Sequence, residues 1–269
     1  MSAEAVVSVR GVTKVFGKGG VTALKDIDLD VAQGDFVSLI GPSGCGKSTL
    51  LRIVGDITEP TSGDVTVNGK SARRAREDRD YGIVFQAPVL FDWRTVAKNI
   101  ALPLEMQRWD RGRRQARVAE MLDLVELTGF EKLYPWQLSG GMQQRVSIAR
   151  ALAFAPPLLL MDEPFGALDE MTRERLNLEL LRIWSETGST VVFVTHSISE
   201  AVFLSTRVAV MSPRPGRVSA LIGIDLPQPR TVETREQPRF FELVTEVREA
   251  LHATGADEVE EQLAAEGPE

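Results

Sequence analysis

Nine consecutive residues, Gly41-Pro42-Ser43-Gly44-Cys45-Gly46-Lys47-Ser48-Thr49, fit the spacing G-x-x-x-x-G-K-[S/T] between an apolar run and an amphipathic one. That spacing suits a triphosphate. Glycines let successive backbone N–H groups curl around phosphate oxygens, a helix starting near Lys47 aims its positive end at them, and Lys47 adds a full charge. Ser48 is then placed to ligate Mg²⁺. Cys45, the only cysteine, is read as a small residue shaping this P-loop rather than as a reactive thiol.

Two further segments supply what phosphoryl chemistry would need. Residues 158–164 (LLLMDEP) deliver two adjacent carboxylates at the end of an apolar run, a costly placement unless a cation or a reaction uses them. Asp162 suits Mg²⁺ coordination through water, and Glu163 suits a general base on the attacking water, worth about 10²- to 10⁴-fold in rate. Residues 138–145 (LSGGMQQR) put Ser139, Gly140 and Gly141 at the start of another helix, a second anion-binding terminus in one chain.

The elements that must position these groups are legible as apolar runs. Phe36–Ile40 (FVSLI) and residues 83–85 (IVF), 158–161 (LLLM) and 191–194 (VVFV) are continuous, as expected of strands covered on both faces of a parallel sheet. Each ends in a polar group: the Gly41 loop, Gln86, Asp162 with Glu163, and Thr195 with His196. If the four are parallel neighbours, these groups share one sheet edge, where open α/β sheets bind ligands. Helices are expected over residues 48–54, 142–153 and 170–184, the last with Met171, Leu178, Leu181 and Trp184 on one face. Alternation at residues 6–9, 12–16, 27–31 and 64–68 predicts a small antiparallel sheet beside the parallel core.

Residues 87–135 read as helical, with 113–125 the clearest stretch, so a helical subdomain over about residues 87–155 is expected within a domain spanning 1–222. Residues 223–269 read as a tail with one amphipathic helix near 240–251 and an acidic, frayed end. The 269 residues carry a net charge of −7, which argues against a nucleic-acid partner. The basic runs at residues 73–79 and 108–117 are read as solvated faces or docking rims rather than nucleic-acid sites, because their signs are mixed or aromatic interleaving is sparse. A single cysteine excludes an internal disulfide, and neither a secretory leader nor a span of roughly 18 to 20 apolar residues is evident. A cytoplasmic chain is expected, reaching any membrane through partners.

Residues 138–145 resemble the signature motif of the ATP-binding cassette (ABC) ATPases, with Met142 where glutamine is commonest. The resemblance covers about residues 6–220 in that family's motif order. It implies an α/β fold: a P-loop NTPase (RecA-like) core with a small antiparallel β subdomain and a helical signature subdomain. It also implies a head-to-tail dimer in which Ser139, Gly140 and Gly141, followed by Met142 and Gln143, close in trans over the γ-phosphate of ATP held by the other copy's P-loop. Gln86 matches the glutamine that touches Mg²⁺ and the attacking water, and His196 matches the switch histidine. Residues 166–169, ending at Asp169, resemble the D-loop at the dimer interface, and Phe16 stands where an aromatic residue stacks on adenine.

Residues 86–101, with Val89, Leu90, Phe91 and Trp93, resemble the segment that receives a permease coupling helix in nitrate, sulfonate and taurine importers. Residues 211–218 and 226–230 look like the tail of the same group, which relatives importing vitamin precursors share. The resemblance implies a peripheral subunit at the cytoplasmic face of the membrane. Its partners would be a second copy, transmembrane permease subunits and, indirectly, an extracytoplasmic solute-binding protein. A lipid-trafficking or export cassette, or a soluble non-transport ATPase, is the alternative.

Overall fold

The computed structural model describes residues 5–17, 20–166 and 168–265. The chain begins with β1 (Ala5–Phe16), β2 (Val21–Ala32), β3 (Phe36–Ile40), α1 (Lys47–Val54), β4 (Ser62–Val67), β5 (Lys70–Ser71) and α2 (Ala72–Asp78). It continues with β6 (Tyr81–Val84), α3 (Val96–Met106), α4 (Arg111–Leu124), α5 (Gly140–Leu152), β7 (Leu158–Asp162) and α6 (Glu170–Thr187). It closes with β8 (Thr190–Val194), α7 (Ile198–Leu204), β9 (Arg207–Met211), β10 (Val218–Gly223) and α8 (Pro238–Ala265). Two compact units result, one from residues 1–78 with 190–269 and one from residues 79–189.

In the first unit, β1 and β2 form a long antiparallel pair, and β4 and β5 extend it to a four-stranded sheet. Its two-residue period is explicit in β2, where Ile27, Leu29 and Val31 are buried while Asp28 and Asp30 face water. The same unit holds β3 between β8 and β9, all parallel, with β10 antiparallel at the edge. Both β3 and β8 are buried along their whole length. A polar residue inside such a strand needs a partner; Ser38 has one, since the Ser205 hydroxyl donates to its Oγ at 2.6 Å.

Strands β9 and β10 carry no expectation from the sequence. The five residues of β9 open on a charged Arg207 whose guanidinium pairs with Asp35, so the apolar run is short and unmarked by alternation. Helix α8 runs to Ala265, well past residue 251 where the tail was expected to fray. The added stretch is rich in alanine and glutamate, both strong helix formers. Phe240, Leu243 and Val247 seal its first turns against the unit, while residues 266–269 of the expected acidic end lie outside the described residues.

In the second unit, β6 and β7 run parallel and α3, α4 and α5 pack on one another. Helix α6 keeps part of its expected face: Leu181 is buried and Leu178 and Trp184 are half-buried, but Met171 is 78% exposed. The buried side is wider than expected, since Leu176, Leu180 and Ile183, spaced four and three apart, join it. A helix packed over most of its length buries a broad stripe, and Met171 lies in its first turn, beyond that packing. Helix α4 begins at the Asp110 cap, whose side chain accepts from the Arg113 N–H at 2.9 Å. The arginines of α2 pair with Glu77, Asp78 and Asp56 at the surface, as the mixed signs of that run predict.

Candidate functional site

The first unit supplies the P-loop and His196. Strands β3 and β8 are parallel neighbours with Leu39 beside Val194, so the turn starting at Gly41 and the pair Thr195-His196 leave the sheet at the same end. The turn passes from β3 into α1 through Gly46, whose φ of 106° lies in the left-handed region; a Cβ there would stand 2.5 Å from a Leu24 methyl. The Lys47 ammonium, 6% exposed, donates to the carbonyls of Gly41 at 2.7 Å and Pro42 at 3.0 Å. One full positive charge therefore sits inside the turn rather than in solvent. Burial pushes the Cys45 thiol up, which suits a packing role over a reactive one.

Ser48 and Thr49 lie in the first turn of α1, directly after Lys47. Phe16 ends β1, 44% exposed, with the Lys14 ammonium 5.0 Å from its ring centroid. The ring thus already offers one face to a cation and the remainder to solvent. His196 is exposed at the foot of β8. Its backbone is fixed by a buried pair, the Thr195 hydroxyl donating to the Glu200 carboxylate, while the Ser197 N–H donates to Thr195 Oγ1 at 3.0 Å.

The second unit supplies the carboxylates, Gln86 and the serine-glycine helix start. Val84 pairs with Met161 in parallel register, so Gln86 and the Asp162-Glu163 pair emerge at one end of β6 and β7. Asp162 is 4% exposed, and the Gln86 amide donates to Glu163 Oε2 at 3.5 Å. Glu163 adopts φ 45°, which costs a residue with a Cβ free energy of order 1–3 kcal/mol and concentrates at functional sites. The Gly166 N–H donates to the Glu163 carbonyl at 3.1 Å. Of the expected D-loop, Ala167 lies outside the described residues.

Ser139 caps α5 by accepting from the Met142 N–H at 3.3 Å, and Gly140 and Gly141 open the helix. Asp169 caps α6 in the same way, accepting from the Thr172 N–H at 3.0 Å; that backbone donor holds its carboxyl below the usual carboxylate range. Both helix starts border one cavity of about 330 Å³, lined also by Met142, Arg145, Thr172 and Arg175. Two positive helix ends and two arginines border this cavity together with the Asp169 carboxylate. Gln143 is turned away from it, donating to the carbonyls of Pro135 and Leu138.

Beyond Gln86 the chain exposes an apolar patch: Val89 and Trp93 are 58% and 74% exposed, and the Phe91 and Trp93 rings stand 4.9 Å apart. It is held from within. Asn99, fully buried, accepts from the Phe91 N–H and donates to the carbonyls of Phe91, Arg94 and Thr95, and Arg150 donates to those of Pro88 and Val89. The exposed Trp93 ring and the half-buried Phe91 ring thus stand on a loop fixed by buried hydrogen bonds.

The sequence reading assigned no role to residues 212–217, between β9 and β10. Arg214 from this segment donates to the Gly44 carbonyl of the P-loop, a contact that no pattern of residue types signals.

Comparison with known proteins agrees with this geometry. A family profile described as "ABC transporter" matches residues 24–166, more than half of the chain. The taurine import ATP-binding protein TauB of Rhizobium johnstonii is 47% identical over 240 residues, covering 87% of this chain and 90% of that protein. The nitrate import ATP-binding protein NrtD of Synechocystis is 42% identical over 249 residues, covering 90% and 93%. Among solved structures, the dimeric post-hydrolysis state of the ATP-binding cassette MJ0796, bound to ADP and phosphate, superposes with a TM-score of 0.73 at 37% identity, covering 81% of this chain and 98% of that one. Identity at this level over most of both partners, together with a P-loop and a serine-glycine helix start in one chain, fixes the assignment: the protein belongs to the ABC transporter family, among its ATP-binding and ATP-hydrolysing cassettes.

Proposed function

We propose that this chain is the ATPase subunit of an importer for a small solute, either an anion of the nitrate, sulfonate or taurine type or a vitamin-precursor compound. The observation that carries the reading is the pair of anion-receptive helix starts: α1, entered through the P-loop with Lys47 inside it, and α5, opened by Ser139, Gly140 and Gly141. One triphosphate needs both kinds of terminus only if a second subunit supplies the other. In this reading residues 41–49 hold the phosphates of ATP and Phe16 stacks on adenine. Ser139 to Gln143 and Asp169 act across a dimer of two copies.

Mg²⁺ fits the donors available. Ser48, Gln86 and Asp162 offer hydroxyl, amide and carboxylate oxygens, hard ligands that suit Mg²⁺, and that ion keeps water and substrate phosphates in its shell rather than an all-protein cage. Bound there, Mg²⁺ would neutralise charge developing on the phosphates. Glu163 polarises the attacking water, Gln86 orients it, and His196 contacts the γ-phosphate.

Among the described residues no helix is long and apolar enough to cross a membrane. We place the chain at the cytoplasmic face, docked through the Val89–Trp93 patch on permease subunits that receive solute from an extracytoplasmic binding protein. Deleting the gene in its host should abolish uptake of labelled nitrate, taurine, riboflavin or a thiamine-precursor pyrimidine, and re-expression of the wild type, but not of Glu163→Gln, should restore it. Normal uptake of all four in the deletion strain would overturn the importer reading.

A further inference from the structure

Strand β9 lies parallel beside β3, with Val210 opposite Ile40, so the segment leaving β9 emerges next to the segment leaving β3, which is the P-loop. Residues 212–217 (SPRPGR) use that adjacency. Ser212 closes the segment on itself, its N–H donating to the Arg217 carbonyl and its Oγ accepting from the Arg217 N–H, both at 3.0 Å. Gly216 is pinned to β2 by two backbone hydrogen bonds, donating to the Ala23 carbonyl and accepting from the Lys25 N–H, each 3.0 Å. It also touches the P-loop: a Cβ on Gly216 would lie 1.9 Å from the Cys45 carbonyl oxygen, so no other residue fits without moving the turn. From this anchored segment Arg214 reaches back, Nη2 donating to the Gly44 carbonyl at 3.1 Å and Nε at 3.3 Å.

The Gly44 carbonyl and the Cys45 N–H belong to one peptide group. A charge-assisted donor on that carbonyl makes the N–H at the other end of the peptide, which here donates to the Pro42 carbonyl at a long 3.3 Å, a stronger donor for a phosphate oxygen that replaces it. It also resists rotation of Gly44, whose φ of 78° is left-handed and intrinsically loose. The guanidinium adds a positive charge outside the turn, complementing Lys47 within it. Neither effect needs Arg214 to touch the nucleotide.

On these grounds we propose that Arg214 is a positioning residue of the nucleotide site, holding the apex of the P-loop in its phosphate-receiving form and raising its affinity for the phosphates. This rests on residues 41–49 being the ATP-binding turn. Preorganised donors act on ground-state binding of phosphate before the γ-phosphoryl group reacts, so the effect falls on KM rather than on kcat.

The test measures MgATP binding and steady-state hydrolysis for the full chain and for Arg214→Ala, Arg214→Lys and Lys47→Ala, with thermal unfolding in the absence of nucleotide. Arg214→Ala should raise Kd and KM about five- to tenfold with an unshifted melting temperature. Arg214→Lys should recover most of the loss, because an ammonium can still donate to the Gly44 carbonyl. Unchanged affinity in Arg214→Ala, or a loss that lysine does not relieve, overturns the proposal. Failure of the wild type to bind MgATP, or equal binding by Lys47→Ala, would instead strike the ATP-site reading itself, and this proposal with it.

Discussion

Glu163 is the residue on which the proposed hydrolysis most depends. It follows a fully buried strand, takes a left-handed backbone and stands 3.5 Å from the Gln86 amide. Folding holds the carboxylate there at the expense of local strain, which a purely structural turn would relieve with glycine or asparagine. Glu163→Gln keeps the shape and removes the base, so MgATP affinity should stay within a few fold while turnover in the assembled transporter falls by about 10²- to 10⁴-fold. Near-normal turnover would remove Glu163 from that role. Lys47→Ala should act earlier, weakening MgATP binding itself by more than tenfold in calorimetry, since it takes a buried charge out of the turn. These residues stand out in the sequence because the glycine spacing is specific and a carboxylate pair after an apolar run gains meaning beside it. Arg214 does not. Its partner is a backbone carbonyl 170 positions away, and no pattern in residue types announces a contact with a carbonyl.

At the scale of elements, the same logic separates what periodicity reveals from what it hides. The continuous runs that became β3, β7 and β8 were readable because burial on both faces leaves no alternation to misassign. The buried side of α6 is legible only in part: Leu181 is buried as expected and Met171 is not, and packing adds Leu176, Leu180 and Ile183. The loop after β6 was legible as an apolar surface, yet its support was invisible. Asn99 holds that loop with one accepted and three donated hydrogen bonds from a fully buried site. Asn99→Ala should therefore cost roughly 1–3 kcal/mol in urea unfolding, for the buried carbonyls and N–H left unpaired. It should also weaken co-purification with the permease while leaving MgATP affinity unchanged. Permease retention equal to wild type would separate this loop from docking.

For the molecule as a whole, the proposed function divides the labour: ATP chemistry in this chain and solute selection in its proposed partners. The net charge of −7 comes with arginine runs that are largely satisfied internally: those of α2 meet acidic neighbours, and Arg117 donates to the Leu152 and Ala153 carbonyls at the end of α5. Two surfaces stand out among the described residues: an apolar patch with exposed Trp93 and a cavity at the starts of α5 and α6. In the proposed function the first receives a permease and the second an anionic group brought by another copy. The central claim is that each ATP lies between the P-loop of one copy and the serine-glycine helix start of the other. The most direct measurement is an experimental structure of the Glu163→Gln chain with MgATP. Phosphate density enclosed by residues 41–48 of one copy, with Ser139 of a second copy against the γ-phosphate, is the predicted result; nucleotide lodged elsewhere, or covered by the helix start of its own chain, would contradict it.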